Sequence, residues 1–310
     1  MPPSALAAPL GAAAGCLPIS SGGEAPTALI LTGGGAKGAY EAGAVAALAE
    51  AGLSIRLVAG SSAGALSAAM IAAGRADRLE ATWRSITREQ VYSIRAPTFF
   101  AGLLPGWLTL RALSGARSLL DPQPLRELIA SSVELERIRR SPIGLIVTTT
   151  DLARREPRVF DNQTVTVDAL VAAASVPGLF PAVEVDGALL VDGGLTGRAP
   201  VLEALEAAPV GRVLIILSYA PEEQTEPATT IRRSLEEAFE TAMLHQIRRD
   251  VELARRRHST TEVQLLTPSA PLKLRPLEFD PDAIARVLAL GRADAEACLR
   301  ALGDRPTSAR

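Results

Sequence analysis

The feature that most constrains the fold is a short apolar segment that ends directly in three glycines. Residues Thr27–Thr32 read Thr-Ala-Leu-Ile-Leu-Thr and are followed by Gly33–Gly35. Such a segment is typical of a buried β-strand closed by a tight turn. An alanine-rich helical pattern then fills Ala36–Ala51, Gly52 ends it, and Ser54–Ala59 reads as a second strand. This order predicts a βαβ unit and therefore an α/β fold with a mostly parallel sheet.

The rest of the chain repeats the order of strand, turn and helix. Further strands are predicted within Ile143–Thr149, Arg158–Phe160, Ala188–Val191, Val213–Tyr219 and Thr261–Leu266, and further helices within Val167–Ala174, Ile231–Arg257 and Pro281–Leu302. No internal repeat or linker divides the chain. We therefore expect one domain over residues 27–302, between a flexible N-terminal tail of residues 1–26 and a C-terminal tail of residues 303–310.

The charge balance and the apolar segments limit the partners and the location. Acidic and basic residues nearly cancel, to a formal net charge of -2, so the overall charge creates no field that attracts nucleic acid. A secretory signal begins with Lys or Arg ahead of its apolar stretch, and residues 1–26 have neither before their weakly apolar stretch. No later apolar run reaches the ~18 residues that span a bilayer. We predict a cytoplasmic protein without a nucleic-acid partner. Peripheral membrane contact is left open, and the oligomeric state is not indicated.

The two cysteines, Cys16 and Cys298, lie near opposite ends of the chain and have neither CxxC nor Cys/His spacing. This arrangement indicates no zinc site and no disulfide framework. We expect two free thiols and no bound metal.

A candidate nucleophile follows the second predicted strand. Residues Gly60–Gly64 read Gly-Ser-Ser-Ala-Gly, and a helical pattern follows them. A serine in GxSxG at a strand-to-helix turn is a nucleophile elbow, because small neighbours let the backbone bend sharply and leave the hydroxyl exposed. The following helix directs N–H groups and the positive end of its dipole toward negative charge forming there. These observations make Ser62 the candidate nucleophile.

The glycine loop Gly33–Gly38 supplies backbone N–H groups that can approach an oxyanion closely. Lys37 adds positive charge beside it, although a lysine in the first helical turn is often simply solvated. The loop also matches GxGxxG, the dinucleotide-binding fingerprint. That fold needs an acidic residue at the end of the second strand, where this chain has Ala59-Gly60-Ser61-Ser62. Nucleotide binding is therefore disfavoured.

A serine nucleophile needs a base that accepts its proton. The chain has two histidines, His245 and His258, and the order Ser62, Asp192, His258 fits an α/β-hydrolase triad. His245, however, lies in an amphipathic helical run, and His258 follows three arginines at a predicted helix end. An aspartate also serves when partial burial raises its proton affinity. Asp192 ends an apolar strand and precedes Gly193–Gly194, which makes it the best candidate, and the triad remains the alternative.

These three elements together are similar to those of the patatin-like phospholipase family. Gly33–Gly38, Gly60–Gly64 and Asp192–Gly194 resemble its oxyanion loop, nucleophile elbow and catalytic Asp-Gly-Gly in the same order, and residues 173–181 resemble its segment before the Asp strand. The resemblance covers roughly residues 29–302. It implies a three-layer α/β/α hydrolase with a Ser-Asp dyad, without metal or cofactor, that cleaves acyl esters of lipids.

By this resemblance, Ser62 is the nucleophile and Asp192 the general base. The amides of the loop Gly33-Gly34-Gly35-Ala36 form the oxyanion hole, and Lys37, Gly38, Gly60, Gly64, Gly193 and Gly194 support it. We expect an Asp192 carboxylate oxygen within hydrogen-bond reach of the Ser62 hydroxyl, roughly 2.6–3.2 Å. Many members carry Asn-x-Pro after Asp-Gly-Gly, whereas this chain reads Arg198-Ala-Pro200, and arginine is commoner than Lys37.

The acyl ester itself is not specified by these motifs, and a scaffold that binds lipid without turnover is the non-enzymatic alternative. The segment Pro97–Trp107 is rich in aromatic and aliphatic side chains. Three interpretations of it stay open: a lid over an acyl pocket, a membrane contact, and the packed core of a cap.

Overall fold

The computed structural model describes residues 26–95, 118–220 and 230–303. The segment Pro97–Trp107 and both predicted tails, except for Pro26 and Gly303, lie outside the described residues. Within them the helices are α1 (Gly38–Glu50), α2 (Ala63–Ala72), α3 (Ala76–Ser85), α4 (Arg88–Val91), α5 (Gln123–Ser132), α6 (Leu135–Arg139), α7 (Val167–Ala173), α8 (Val201–Ala207), α9 (Ile231–Arg257) and α10 (Pro281–Gly303).

The strands are β1 (Thr27–Leu31), β2 (Ile55–Gly60), β3 (Ser93–Ile94), β4 (Leu120–Asp121), β5 (Gly144–Asp151), β6 (Glu156–Phe160), β7 (Val183–Val185), β8 (Ala188–Asp192), β9 (Arg212–Ile216) and β10 (Glu262–Leu266). Eight of them form one sheet in the order β10-β9-β1-β2-β5-β8-β7, with β6 also on β5, and β3 pairs with β4. The pairs from β10 to β5 are parallel, whereas β6, β7 and β8 pair in antiparallel fashion. The predicted α/β fold with a mostly parallel sheet is confirmed.

Both faces of the sheet are covered by helices. On β1, Leu29 and Leu31 pack into a core with side chains of α1, α2 and α10. The alternate residues Ala28 and Ile30 pack into a second core that includes side chains of α8 and α9. A central strand buried on both faces needs apolar residues at every position, which explains the uninterrupted apolar run of β1. The result is a three-layer α/β/α arrangement.

The end of α1 follows the glycine that the sequence marked as a helix stop. Gly52 has a φ of 76°, in the left-handed region that glycine adopts without a steric penalty. Its N–H donates to Ala49 O at 3.0 Å, and the N–H of Leu53 donates to Leu48 O at 3.0 Å. These two bonds form a Schellman motif, which satisfies carbonyls that the helix end leaves free. The chain then turns back into β2.

One sequence-based expectation is wrong. Cys298 is buried on α10 and disulfide-bonded, so it is not a free thiol. Cys16 lies outside the described residues. Spacing along the chain carries no information on this point, because a disulfide depends on which residues the fold brings together.

Candidate active site

The candidate nucleophile lies at the carboxyl edge of the parallel strands. Leu31 at the end of β1 pairs with Gly60 on β2 and with Ile216 on β9, so three strands end at one level. Ser62 follows Gly60 and stands immediately before α2, with φ 54° and ψ −135°. A non-glycine residue at positive φ is strained and persists only where its surroundings fix it. This is the backbone geometry expected of a nucleophile elbow.

The glycine loop packs directly against the turn that carries Ser62. A Cβ added to Gly33 would lie 2.8 Å from Gly64 N and 3.0 Å from Ala63 N, and one added to Gly64 would lie 2.4 Å from Leu31 O. Only glycine permits backbones to approach this closely. The two glycine motifs therefore form one unit at the amino end of α2.

Asp192 reaches the same place from an antiparallel strand. Gly60 pairs with Val147 of β5, and Asp192 pairs with Thr149, two residues further along that strand. Because β6 pairs with β5 from Val147 to Asp151 on the other edge, β2 and β8 share one edge and their carboxyl ends face each other. Two residues of a strand correspond to roughly 7 Å. The strand order thus brings Asp192 to the turn that carries Ser62.

The turn after Asp192 has no room for a side chain. A Cβ on Gly193 would lie 2.3 Å from Thr148 O and 2.8 Å from the Ser61 Oγ. Gly194 donates its N–H to Asp192 Oδ1 at 2.7 Å. The predicted supporting glycines Gly60 and Gly38 also make close contacts, with Gly64 and with the Trp83 ring.

The Asp192 carboxyl is 3% exposed, and its Oδ2 has no hydrogen-bond partner among the described residues. Burial raises the pKa of Asp192, while hydrogen bonding by Gly194 and Ser62 and the charge of Arg198 lower it. Ser62 is therefore close enough to influence this carboxyl, but no hydrogen bond of 3.5 Å or less joins them. The expected distance of 2.6–3.2 Å between the two side chains stays a prediction. In ligand-free enzymes such bonds are often long and tighten when the substrate binds.

The amides of the glycine loop differ in what they contact. Gly33 donates its N–H to Glu41 Oε1 at 2.8 Å, and Ala36 donates to Pro276 O at 2.8 Å. Among the described residues no acceptor is found for the N–H groups of Gly34 and Gly35. Of the four predicted donors, these two remain available to a ligand.

Two buried charges behind the loop were missed by the sequence reasoning. Glu41 on α1 is fully buried, and Arg198 is 4% exposed. A signal for Glu41 was present, because a helix that is apolar all round is buried and a lone acidic residue in it needs partners. Arg198 stands where many members of the family have Asn. Its guanidinium Nε donates a hydrogen bond to Thr32 O, at the start of the glycine loop, at 3.1 Å.

Lys37 faces the cavity rather than open solvent. Its Nζ lies 3.3 Å from Glu240 Oε1 and 4.5 Å from the centroid of the Tyr219 ring. Arg198 stacks on the same ring, also at 4.5 Å. These contacts hold two cations at the polar end of the site.

Neither histidine lies at the turn that carries Ser62. His245 is exposed on α9 and does not line the cavity. His258 follows the end of α9, four residues before β10 begins at Glu262. Glu262 pairs with Arg212 at the amino end of β9, so His258 lies at the edge of the sheet opposite Ser62.

The described residues bound a cavity of about 1900 Å³ that contains Ser62, Asp192, Gly34 and Gly35. Apolar side chains of α2, α3 and α5 and of the residue after α3 form much of its wall, among them Leu66, Met70, Trp83, Ile86, Leu125 and Ile129. The cavity exceeds the roughly 300–1,000 Å³ of ordinary small-ligand pockets.

Two kinds of feature are absent from the described ranges. No cluster of three or more His, Cys, Asp or Glu side chains is placed to hold a metal ion. None of the helices described combines the length and the apolar character needed to cross a bilayer.

Fold and site together define the class: an α/β/α protein with a GxSxG turn and a glycine loop at the carboxyl edge of its sheet. The model of the patatin-like phospholipase family matches residues 29–205, more than half of the chain. The chain therefore belongs to the patatin-like phospholipase family.

Individual relatives agree with this assignment. Uncharacterized NTE family proteins of Mycobacterium tuberculosis and Mycobacterium bovis are each 31% identical over 194 residues, which is 62% of this chain and 48% of the relative. The chain thus spans about half the length of these curated relatives. The crystal structure of VipD from Legionella pneumophila is similar in fold, with a TM-score of 0.50, 15% identity, and coverage of 93% of this chain and 70% of that one.

Proposed function

We propose that this protein is a serine acyl hydrolase that cleaves carboxylic ester bonds of lipids through an acyl-enzyme on Ser62. One observation carries the proposal. The strained Ser62 turn shares a cavity with a buried carboxylate oxygen of Asp192 and with the uncommitted amides of Gly34 and Gly35. Nucleophile, proton acceptor and oxyanion donors are the three parts that acyl transfer requires.

In the first half of the reaction Ser62 Oγ attacks the ester carbonyl carbon. Its proton passes to Asp192 Oδ2 as the new C–O bond forms, and the carbonyl electron pair moves onto oxygen. The amides of Gly34 and Gly35 donate to this oxyanion. When the intermediate collapses, the bond to the alcohol breaks, and the alcohol oxygen takes the proton from Asp192. The acyl group stays on Ser62.

In the second half water replaces the alcohol. Asp192 takes a proton from the water as its oxygen attacks the acyl carbon, and the same amides stabilise the second oxyanion. Collapse returns the proton to Ser62 Oγ and releases the carboxylic acid. The raised pKa of Asp192 supports this role, because a base with greater proton affinity is a better acceptor at neutral pH.

The cavity supports a lipid rather than a small polar ester as substrate. An apolar wall beyond Ser62 gives a hydrocarbon chain a place out of water, and burial contributes ~0.8 kcal/mol per methylene group. The polar end, where Lys37 lies, suits the head-group side of such a substrate. The alternative Ser-His-Asp triad would need an imidazole in this cavity, and both histidines lie elsewhere.

Reaction with a fluorophosphonate probe tests the proposal. We expect labelling of the wild type at Ser62, and we expect Ser62→Ala to abolish both labelling and hydrolysis of p-nitrophenyl acyl esters. Ser61→Ala is the matched control, because the buried Ser61 hydroxyl has no hydrogen-bond partner among the described residues. That variant should keep full labelling. A wild type that binds lipid but neither reacts with the probe nor turns over esters would establish the scaffold alternative instead.

A further inference from the structure

The first glycine of the loop is held on both of its backbone groups by buried side chains. Gly33 N–H donates to Glu41 Oε1 at 2.8 Å. Gly33 O accepts from the Arg198 guanidinium at 3.2 Å and from the Ser218 hydroxyl. These three side chains come from α1, from the segment after β8 and from the segment after β9. Three separate parts of the fold thus converge on one residue.

The same two charged residues also hold the residue before it. Thr32 Oγ1 donates to Glu41 Oε1 at 3.0 Å, and Thr32 O accepts from Arg198 Nε at 3.1 Å. Glu41 and Arg198 therefore bind consecutive residues from opposite sides of the turn. Their charges are opposite, although they form no direct ion pair within 4.0 Å.

This arrangement fixes the direction of a catalytic N–H. In a trans peptide the carbonyl of one residue and the N–H of the next point in opposite directions. All described peptide bonds are trans. Because Gly33 O is directed at Arg198 and Ser218, the N–H of Gly34 is directed away from them. Gly34 has φ 127°, where its own backbone preference supplies little restraint, so the orientation depends on these partners.

We propose that Glu41 and Arg198 are positioning residues for the Gly34 N–H. Glu41 and Arg198 together hold the Thr32–Gly33 peptide, and Arg198 also holds the carbonyl of the Gly33–Gly34 peptide, so that the Gly34 N–H stays aimed at the oxyanion. The inference rests on the proposed function and assigns to it two residues that do not touch the reacting atoms. The close packing around Gly34 also supports the inference, because a Cβ on Gly34 would lie 2.8 Å from the Ser218 Oγ and 2.9 Å from the Arg198 guanidinium. The Ser218 and Arg198 side chains therefore pack closely against the Gly34 backbone.

The experiment compares kcat and KM for a soluble short-chain p-nitrophenyl ester in four variants and one control. Arg198→Met removes the donors and keeps the length of the side chain, and we expect kcat to fall about 10²-fold with KM changed less than about threefold. Arg198→Lys should recover part of the loss. Glu41→Leu should lower kcat by about tenfold or more, whereas Glu41→Gln, whose amide oxygen accepts both hydrogen bonds, should retain most of the activity that Glu41→Leu loses.

The control is Arg212→Met. Arg212 is also a buried arginine, but it begins β9 at the opposite edge of the sheet. We expect this variant to lose stability without losing kcat per folded molecule, as judged by thermal melting and by titration with the fluorophosphonate. If Arg198→Met does not fold, the two Glu41 variants and Arg198→Lys decide.

The outcomes separate this inference from the proposed function. A wild type with Ser62-dependent activity and a folded Arg198→Met at full kcat overturns the positioning role alone. Equal activity of Glu41→Leu and Glu41→Gln does the same. An inactive wild type overturns the proposed function, and the inference with it.

Discussion

At the scale of single residues, the site combines two buried carboxylates with different partners. One oxygen of Asp192 accepts from its own turn, and the other has no partner among the described residues, whereas one oxygen of Glu41 accepts from both Thr32 and Gly33. Burial raises the pKa of both. Asp192 lines the cavity and Glu41 does not. Their surroundings therefore support the proposed proton-transfer role of Asp192 and the proposed positioning role of Glu41.

Replacement of Asp192 tests the dyad against the triad. Asp192→Asn keeps the shape of the side chain and removes the proton acceptor, so we expect kcat to fall by about 10²–10⁴-fold. Replacing His245 and His258 together by Gln should leave the rate within about threefold of the wild type, because neither side chain lines the cavity. Steady-state kinetics on a p-nitrophenyl ester measures both. A collapse of activity in the folded double histidine variant would contradict the dyad.

The pH dependence of stability tests the burial of Glu41. Burial raises its pKa from 4.5 to about 7, so between these values the folded protein binds more protons than the unfolded chain. The contribution of Glu41 protonation to the free energy of unfolding is fully present below pH 4.5 and is lost as the pH rises through 7. The loss is about 3 kcal/mol in total. Unfolding in urea at pH 5 and pH 8 should show the loss in the wild type. Glu41→Gln should show a smaller one, and equal losses in the two would mean that Glu41 titrates normally.

At the scale of elements, α1 and α10 pack with their backbones in contact. A Cβ added to Gly43 of α1 would lie 2.0 Å from Leu288 O, and one added to Gly291 of α10 would lie 2.0 Å from Tyr40 O. Tyr40 also donates its hydroxyl to Asp294 at 3.0 Å across the same pair. This close packing fixes α1, which carries Glu41 and begins directly after the glycine loop. The packing of these two helices therefore fixes the position of Glu41 relative to the glycine loop.

A substitution at Gly291 sets helix propensity against this contact. Alanine is the better helix former by about 1 kcal/mol. We nevertheless expect Gly291→Ala to lower the free energy of unfolding by about 1–3 kcal/mol, because its methyl group would press on the backbone of α1. Ala289→Gly, at an exposed position of the same helix, should cost about 1 kcal/mol from propensity alone. Urea denaturation measures both, and a stabilised Gly291→Ala would show that the helices do not touch here.

At the scale of the whole molecule, the candidate active site lies at one end of the sheet, and the helices around it form the wall of the cavity. Leu66 and Met70 follow Ser62 on α2 by one and two turns and line the cavity together with Trp83 and Ile129. Met70 lies ~12 Å along the helix axis from Ser62. An acyl chain that is attached to Ser62 and lies along α2 would therefore reach Met70 if the chain is of medium length.

Chain-length preference tests this path for the acyl group. We expect Met70→Trp to lower kcat/KM for dodecanoyl esters by about tenfold or more while kcat/KM for butanoyl esters changes less than about threefold, because the larger ring blocks only the far end of the path. Met70→Ala should shift the preference toward longer chains. Profiles of p-nitrophenyl esters from four to sixteen carbons measure the change. A profile unaffected by either substitution would place the acyl chain elsewhere in the cavity.

The local parts of this protein could be predicted from short stretches of its amino-acid sequence. The apolar run of β1, the helix stop at Gly52 and the turn around Ser62 follow from backbone preferences within a few residues, so their patterns are legible in the chain. The mostly parallel sheet was predicted from such parts taken in order, and the three-layer fold from the resemblance of the glycine and Asp-Gly-Gly motifs to those of the family. The bounds of the longest helices, Ile231–Arg257 and Pro281–Gly303, were predicted to within one residue.

How these parts meet in space could not be predicted from such local stretches. No local pattern indicates that β8 is antiparallel, and it is this direction that turns Asp192 toward Ser62. No local pattern shows that the amides of Gly33 and Ala36 are already bonded, or that Arg198 reaches across the sheet to the glycine loop. These contacts join residues up to 240 positions apart. They depend on strand order and packing, because residues distant in sequence meet only once the sheet has formed.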